Sequence, residues 1–451
     1  GYSPARADGT PPFAALDCPV LQVVFATETR LTWAAGTRGL HPRDLAMNVA
    51  LPEVDGRVLT RAVAFKGEAA RDSLTQAEVR RLVPDRNRCA FVAAQAAAWA
   101  SLRRTPPNAR RIALVLANYP NRDGRAANGV GLDTPASTIG ILRALKESGH
   151  AVGEIPANGD ELMRRLLQGP SNNEPRRPET ESLSLADYQS FLSRLAPAFR
   201  QATEARWGAP ESDPFFRPGS TDCGKFAMPA LRFGNVAVAI QPARGYNLDP
   251  VASYHDPALP VPHNYLAFYA WAREAFAAHA VVHVGKHGNL EWLPGKALAL
   301  SENCAPEAAL GALPNVYPFI VNDPGEGAQA KRRASAVIVD HLTPPLGRAE
   351  AYGPQRALES LIDEYYEAAR LDPRRLEPLA KEILSICRAT GLDEDLGIGR
   401  EANVPQALYL LDQHLCELKE MQIKDGLHIF GESPQGGLLD ALLVALARLP
   451  R

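Results

Sequence analysis

The chain has 451 residues, more than one ordinary core organises, so two or three domains are expected. Its 46% hydrophobic and 22% charged residues are those of a soluble globular protein, and a net charge of −2 gives no electrostatic footprint for nucleic acid. No apolar run approaches the roughly 18–20 residues that span a bilayer.

In chain order, Leu21-Gln22-Val23-Val24-Phe25-Ala26 is a β-branched and aromatic run that predicts a strand. His41-Pro42-Arg43-Asp44-Leu45 opens a short helix, with proline where a missing N–H is tolerated. Ser73 to Arg103 reads as mostly helical. After Thr105-Pro106-Pro107-Asn108 a new unit begins with the continuous apolar run Ile112 to Ala117, as expected of a strand covered on both faces. A Gly/Asn loop (Asn118 to Asp133), a helix (Pro135 to Ser148) and a strand (Ala151 to Ile155) complete a predicted βαβ unit.

A polar, proline-rich loop occupies 169–181. Asn235 to Gln241 predicts a strand, His263 to His279 a helix and Ala280 to Val284 a strand. Ala305 to Gly311, Val316 to Val321, Glu326 to Arg333 and Ala334 to Val339 continue the alternation. Beyond Thr343-Pro344-Pro345 the period becomes helical, with Leu358, Leu361, Ile362, Tyr365, Tyr366 and Ala369 on one face, then Leu376 to Cys387, then 405–421. The expected fold is multidomain α/β. A mixed α/β region (1–105) and a helical region (347–451) flank a mainly parallel core of βαβ units (106–346).

The cysteines at 18, 89, 223, 304, 387 and 416 make no C-x-x-C, so reduced thiols in a cytoplasmic protein are expected. Gly1-Tyr2-Ser3-Pro4 has neither an initiator Met nor an apolar signal core, and Arg451 closely follows the helical pattern Leu438 to Leu443. The chain is expected to be part of a longer one.

Chemistry concentrates between His283 and Lys296, directly after an apolar run. His283, His287 and Glu291 fall at i, i+4 and i+8. Gly285, Gly288 and Pro294 argue against a helix, so the three are expected to converge through a strand-to-loop turn. They suit either a divalent metal site or an acid–base cluster, although His283 reads equally as a core histidine. Trp292 can desolvate Glu291, whose plainer reading is a helix-start carboxylate. Lys286 and Lys296 are candidates to meet substrate carboxylates, and Arg122, Arg125 and Arg244 are candidate anion clamps. Lys331-Arg332-Arg333 reads first as a solvated face. No G-x-x-x-x-G-K-[ST] occurs, because Gly295-Lys296 is followed by Ala297, so any ATP-driven step is expected on another protein.

At this point the stretch His283 to Lys296 resembles the signature of class I chelatase large subunits, the CobN/magnesium chelatase large-subunit family. So do Leu300-Ser301-Glu302-Asn303-Cys304, Pro314-Asn315-Val316-Tyr317-Pro318, Asn322-Asp323-Pro324 and Ala330-Lys331-Arg332-Arg333. The loop from Leu116 to Thr138, with Asn118-Tyr119-Pro120 and Gly131-Leu132-Asp133-Thr134-Pro135, is similar as well. The magnesium branch typically has Thr, Ser, Phe and Met where this chain has Lys286, Asn289, Trp292 and Leu293, so the cobalt branch is the better match.

The resemblance implies insertion of Co²⁺, as substrate, into the tetrapyrrole hydrogenobyrinic acid a,c-diamide during aerobic cobalamin biosynthesis. ATP/Mg²⁺ would be used only by the AAA+ partner subunits CobS and CobT. His283, His287 and Glu291 would be metal ligands and catalytic groups. Arg122, Arg125, Lys286, Asn289, Trp292 and Lys296 would hold the ring. The alternatives are Mg²⁺ insertion into protoporphyrin IX, or a non-catalytic tetrapyrrole carrier needing neither His287 nor Glu291. A resident-zinc hydrolase is disfavoured because H-E-x-x-H is absent.

Overall fold

The computed structural model describes residues 13–118, 126, 127, 129, 131–219, 223–245, 258–285, 288–320, 324–342, 372–398 and 427–447, with scattered positions between 357 and 415. Its strands are β1 (Leu21–Thr29), β2 (Val58–Arg71), β3 (Glu78–Pro84), β4 (Ile112–Leu116), β5 (Glu181–Ser184) and β6 (Phe216–Arg217). Then come β7 (Lys225–Met228), β8 (Ala230–Phe233), β9 (Val236–Ile240), β10 (Ala280–Val284), β11 (Asn315–Ile320) and β12 (Val337–His341).

The central sheet runs β12-β11-β10-β4-β9-β8 and is parallel except for β8. Before it lies the mixed sheet β1-β2-β3, and beside it the antiparallel sheet β5-β7-β6. Helices Leu376–Ala389, Leu392–Asp395 and Gly437–Ala447 follow. The expected multidomain α/β architecture, with helices towards the C-terminus, is therefore present.

Side chains alternate between the two faces of a strand, and the apolar runs use both faces. Ala113, Val115, Ala237 and Ala239 join one core, while Ile112, Leu114, Leu116, Val236, Val238 and Ile240 join the other. The alanine-lined face receives the helix His263–Ala270, buried along its whole length. Small strand residues leave volume for Tyr265, Phe268, Tyr269 and Trp271. The opposite face is closed by helices Thr134–Glu147 and Gly159–Leu166, through Ile139, Leu142, Leu162 and Leu166.

The N-terminal sheet packs on the segment just beyond Lys296. Val24, Trp33, Leu59 and Phe65 share a core with Ala297, Leu298 and Ala299. The Trp33 indole donates to the Ala299 carbonyl at 3.1 Å, and the Ala297 N–H donates to that of Thr37 at 2.8 Å. Gly39, at φ 91°, would place a Cβ 1.8 Å from the Leu298 carbonyl oxygen, so only glycine fits there.

Three expectations are corrected. Ser73 to Arg103 is helical only from Arg86. Asp72 Oδ1 accepts the N–H groups of Leu74 and Thr75 at 3.0 and 2.8 Å, turning the chain so that β3 runs back along β2. Asp85 then caps the helix Arg86–Arg104 by accepting the Arg88 N–H at 3.1 Å. Ala151 to Ile155 is not a strand. β8 takes the place beside β9, and Ala151 meets the β8–β9 turn, accepting the Asn235 N–H at 2.8 Å. The helix from His263 ends in a widened turn, Trp271–Ala275, short of His279, whose ring instead accepts the Arg111 N–H at 3.0 Å.

Leu358, Leu361, Ile362 and Tyr365 are helical and share a core with Ile383 and Cys387, as expected, while Tyr366, Ala369 and most of 405–421 lie outside the described residues. Cys18, Cys89, Cys223, Cys304 and Cys387 are free thiols. No described helix is long and apolar enough to cross a membrane.

One buried ion cluster ties the N-terminal region to the core. Glu307, on the helix Ala305–Leu310, accepts from Arg61 Nε at 2.6 Å and from Arg88 Nη1 at 2.8 and 2.9 Å. Removing the Glu307 carboxylate takes the acid partner from the buried Arg61 and leaves Arg88 with Glu302 at 3.0 Å. Glu307→Ala is therefore expected to lower unfolding free energy by about 3–5 kcal/mol, read by urea denaturation. A loss below about 1 kcal/mol, the range of surface pairs, would show that water already screens the cluster.

Candidate functional site

Because β4, β9, β10, β11 and β12 are parallel, their C-terminal ends share one edge. From β4 the chain goes on towards β9, and from the adjacent β10 towards β11. Between those two departures a parallel sheet opens its ligand crevice. The loop 117–133 and the His283–Lys296 motif both start there. Gly285 makes the turn at φ 109°, a backbone state that disfavours any side chain. Lys286, His287, Arg122 and Arg125 lie outside the described residues.

Glu291 sits in the single helical turn Leu290–Trp292 and is 2% exposed. The Tyr317 hydroxyl, from β11, donates to Glu291 Oε1 at 3.3 Å and accepts the Gly288 N–H at 2.7 Å. A Cβ on Gly288 would lie 3.2 and 3.4 Å from the two carboxylate oxygens, so glycine lets the backbone lie against the acid. Burial first, and then the Glu291 charge, pushes the Tyr317 phenol well above its ordinary range. Tyr265 and Tyr269 are raised too, chiefly by burial. All three phenols stay protonated within the field of the Glu291 charge, Tyr317 donating to it, Tyr269 to His283 and Tyr265 to Asn289.

His283 lies beneath this cluster. Its Nδ1 donates to Asn315 Oδ1 at 2.8 Å, and its Nε2 accepts from the Tyr269 hydroxyl at 3.1 Å. The Asn315 amide is itself oriented by donating to the Ala334 carbonyl at 3.3 Å. Burial lowers the His283 pKa to about 4, so the ring is neutral with both nitrogens engaged by protein groups. The structure thus joins His283 to Glu291 through Tyr317, whose ring stacks 6.0 Å from that of His283 while its hydroxyl bonds the carboxyl group.

The other expected contacts divide. Asn289 accepts from the Tyr265 hydroxyl at 2.6 Å and donates to the Pro242 carbonyl at 2.9 Å, while its N–H reaches Gln241 Oε1 at 3.1 Å. It fastens the motif to the end of β9. Lys296 turns away from the crevice. Its ammonium donates to the carbonyls of Trp33 (2.6 Å), Ala34 (3.2 Å) and Gly36, capping the helix Arg30–Ala35 over the Trp33 ring. Trp292 is half-buried and Arg244 is buried.

The basic triplet is not the solvated face first read. Arg332 pairs with Glu53 at 2.9 Å, and Arg333 is fully buried, donating to the Lys296 carbonyl at 3.0 Å and to that of Glu291. Burial and Arg244 lower Arg333 to about 10, against Cys304 and Glu291, which raise it. Sequence reasoning missed Tyr265, Tyr269, Tyr317, Gln241, Asn315 and Arg333. Their advance signals were Asn315 and Tyr317 within the Pro314-to-Pro318 motif and Arg333 within Ala330-Lys331-Arg332-Arg333. Among the described residues no group of three or more His, Cys, Asp or Glu side chains is arranged to hold a metal ion.

An α/β protein with a buried carboxylate and histidine at the switch point of its parallel sheet is the class these features define. The CobN/Magnesium Chelatase family profile matches residues 2–451, and the chain belongs to that family. It is 58% identical over 434 residues to the aerobic cobaltochelatase subunit CobN of Sinorhizobium sp, covering 96% of this chain and 34% of that protein. It is 28% identical over 462 residues to the chloroplastic magnesium-chelatase subunit ChlH of Oryza sativa subsp. japonica, covering 99% and 32%. The solved catalytic subunit of cobaltochelatase from Mycobacterium tuberculosis superposes with a TM-score of 0.72 at 43% identity, over 97% of this chain and 37% of that one. The chain spans about a third of the length of the curated relatives it matches.

The neutral His283 has a pH signature. In the unfolded chain it titrates near the ordinary 6.5, in the fold near 4. Between those values the unfolded state binds the proton more tightly. The stabilisation is therefore complete above pH about 6.5 and lost as pH falls towards about 4, a swing of about 3 kcal/mol. His283→Asn should remove it. Denaturation of both proteins across pH 4–7 checks this, and parallel profiles would contradict it.

Proposed function

We propose that this chain carries the metal-insertion centre of a cobaltochelatase large subunit, a cytoplasmic ligase that forms nitrogen–metal bonds. The substrates are Co²⁺ and hydrogenobyrinic acid a,c-diamide, in aerobic cobalamin biosynthesis. ATP hydrolysis falls to AAA+ partners of the CobS and CobT kind, a reading supported by the missing phosphate-binding loop. The observation that carries the proposal is the Glu291 carboxyl, buried among three protonated phenols at the crevice and four residues after His287.

Insertion requires Co²⁺ to shed water and the ring to lose its N–H protons. An imidazole binds late divalent metals well and titrates near neutrality, so His287 suits either a loose ligand or a base. Glu291 supplies a second ligand, through a carboxylate oxygen, or the proton acceptor. His283 is a positioning residue, acting through Tyr317. Arg122, Arg125, Lys286 and Trp292 are assigned to bind the ring in this reading, and Asn289 and Lys296 hold the loop that carries Lys286 and Trp292.

Two variants test the assignment in the full-length subunit with its ATPase partners. His287→Ala and Glu291→Gln should each lower the insertion rate by at least about 100-fold while tetrapyrrole affinity changes little. Near wild-type rates in both would make the motif structural. Absorbance titration with hydrogenobyrinic acid a,c-diamide and protoporphyrin IX separates the branches, and preference for protoporphyrin IX would assign the chain to magnesium insertion.

A further inference from the structure

A second pair of imidazoles lies on the same sheet edge. His341 closes β12. His428 lies against the loop that follows β4, pairing with Leu132 as an isolated bridge. Its N–H donates to the Gly131 carbonyl at 3.0 Å, and its carbonyl accepts the Asp133 N–H at 2.9 Å. The two rings are 5.4 Å apart between centroids with planes at 85°, and the Phe430 ring stands 5.9 Å from His341.

The protonation pattern is fixed by a backbone contact. His428 Nδ1 bonds the Leu342 carbonyl at 2.9 Å. A carbonyl only accepts, so Nδ1 carries a proton, and in the neutral ring the remaining nitrogen, Nε2, presents its lone pair. Burial and the neighbouring His428 lower the His341 pKa, favouring its neutral ring. The Nε2 atoms of both rings are buried and have no hydrogen-bond partner among the described residues. Two unmet buried polar atoms in adjoining rings are costly.

We propose that His341 and His428 form a binding site for a late divalent metal ion, additional to the Glu291 cluster. An imidazole whose Nδ1–H is held by a backbone carbonyl is the usual outer-sphere arrangement of a ligating histidine. With metal–nitrogen bonds of about 2.0–2.1 Å, two imidazoles sharing a tetrahedral metal have ring centres about 5 Å apart, near the observed separation. Nitrogen ligands select Co²⁺, Ni²⁺ or Zn²⁺ over Mg²⁺ and Ca²⁺. With two protein ligands and open positions for water or an anion, the site exchanges its metal rather than serving as a closed structural centre. The inference is independent of the chelatase reading, because it concerns binding without any tetrapyrrole.

The test is Co²⁺ titration of the full chain carrying His287→Ala, which removes a ligand expected in the other cluster. Binding is followed by equilibrium dialysis and by cobalt d–d absorbance. One Co²⁺ should bind, Zn²⁺ should displace it and Mg²⁺ should not. Adding His341→Gln or His428→Gln should weaken binding more than about tenfold, with near-UV circular dichroism confirming the fold. Cobalt-edge X-ray absorption of the His287→Ala protein, which needs no change at either residue, should show imidazole scattering. Unchanged affinity in the folded double variant, absent imidazole scattering, or no Co²⁺ bound at all would overturn the proposal. Failure of tetrapyrrole metallation by the full-length subunit with His287 intact and its ATPase partners present, while this binding persists, would count against the chelatase reading alone.

Discussion

A carboxylate taken out of water forfeits hydration worth on the order of several kcal/mol, and only well-placed donors replace it. At Glu291 that requirement organises the surroundings. Tyr317 must stand on β11 where its hydroxyl reaches both the acid and the Gly288 N–H. Tyr269 must lie on the helix His263–Ala270, where its hydroxyl reaches His283. The alanines of β4 and β9 make room for that helix, so the packing of the sheet and the chemistry at its edge are one problem.

The loop that bears Glu291 is secured at both ends by different means. At its entry, the buried strand β10 fixes His283 between Asn315 and Tyr269. At its exit, the Lys296 carbonyl receives Arg333 while the Lys296 ammonium reaches into the N-terminal region. Arg333 also takes the Glu291 carbonyl, so one guanidinium spans the motif from beneath. Loops of this kind owe precision to their supports rather than to their own backbone.

Much of this can be read from the sequence. β4 and β10 stand out because strands covered on both faces need unbroken apolar runs, and the polar residues after β10 have to belong to a loop. What stays hidden depends on partners distant in the chain. Lys296 reads as an available cation in a Gly-Lys pair, yet its acceptor Trp33 is 263 residues away. Arg333 reads as one of three surface charges until the fold sets it under Glu291. Ala151 to Ile155 has strand-like composition, but β8 holds the position it would need. Ser73 to Asp85 has helix-compatible residues, and a single aspartate turn at Asp72 diverts it into a hairpin.

The Lys296 cap has a stereochemical consequence. Three carbonyl oxygens converge on one nitrogen from different directions. A tetrahedral ammonium offers three rotatable hydrogens to such a set, whereas a guanidinium spreads its donors across a rigid plane. Arginine would keep the charge and lose the fit. At this position the side chain is specified by the solid angle its donors fill, which makes the most chemically similar replacement a poor one.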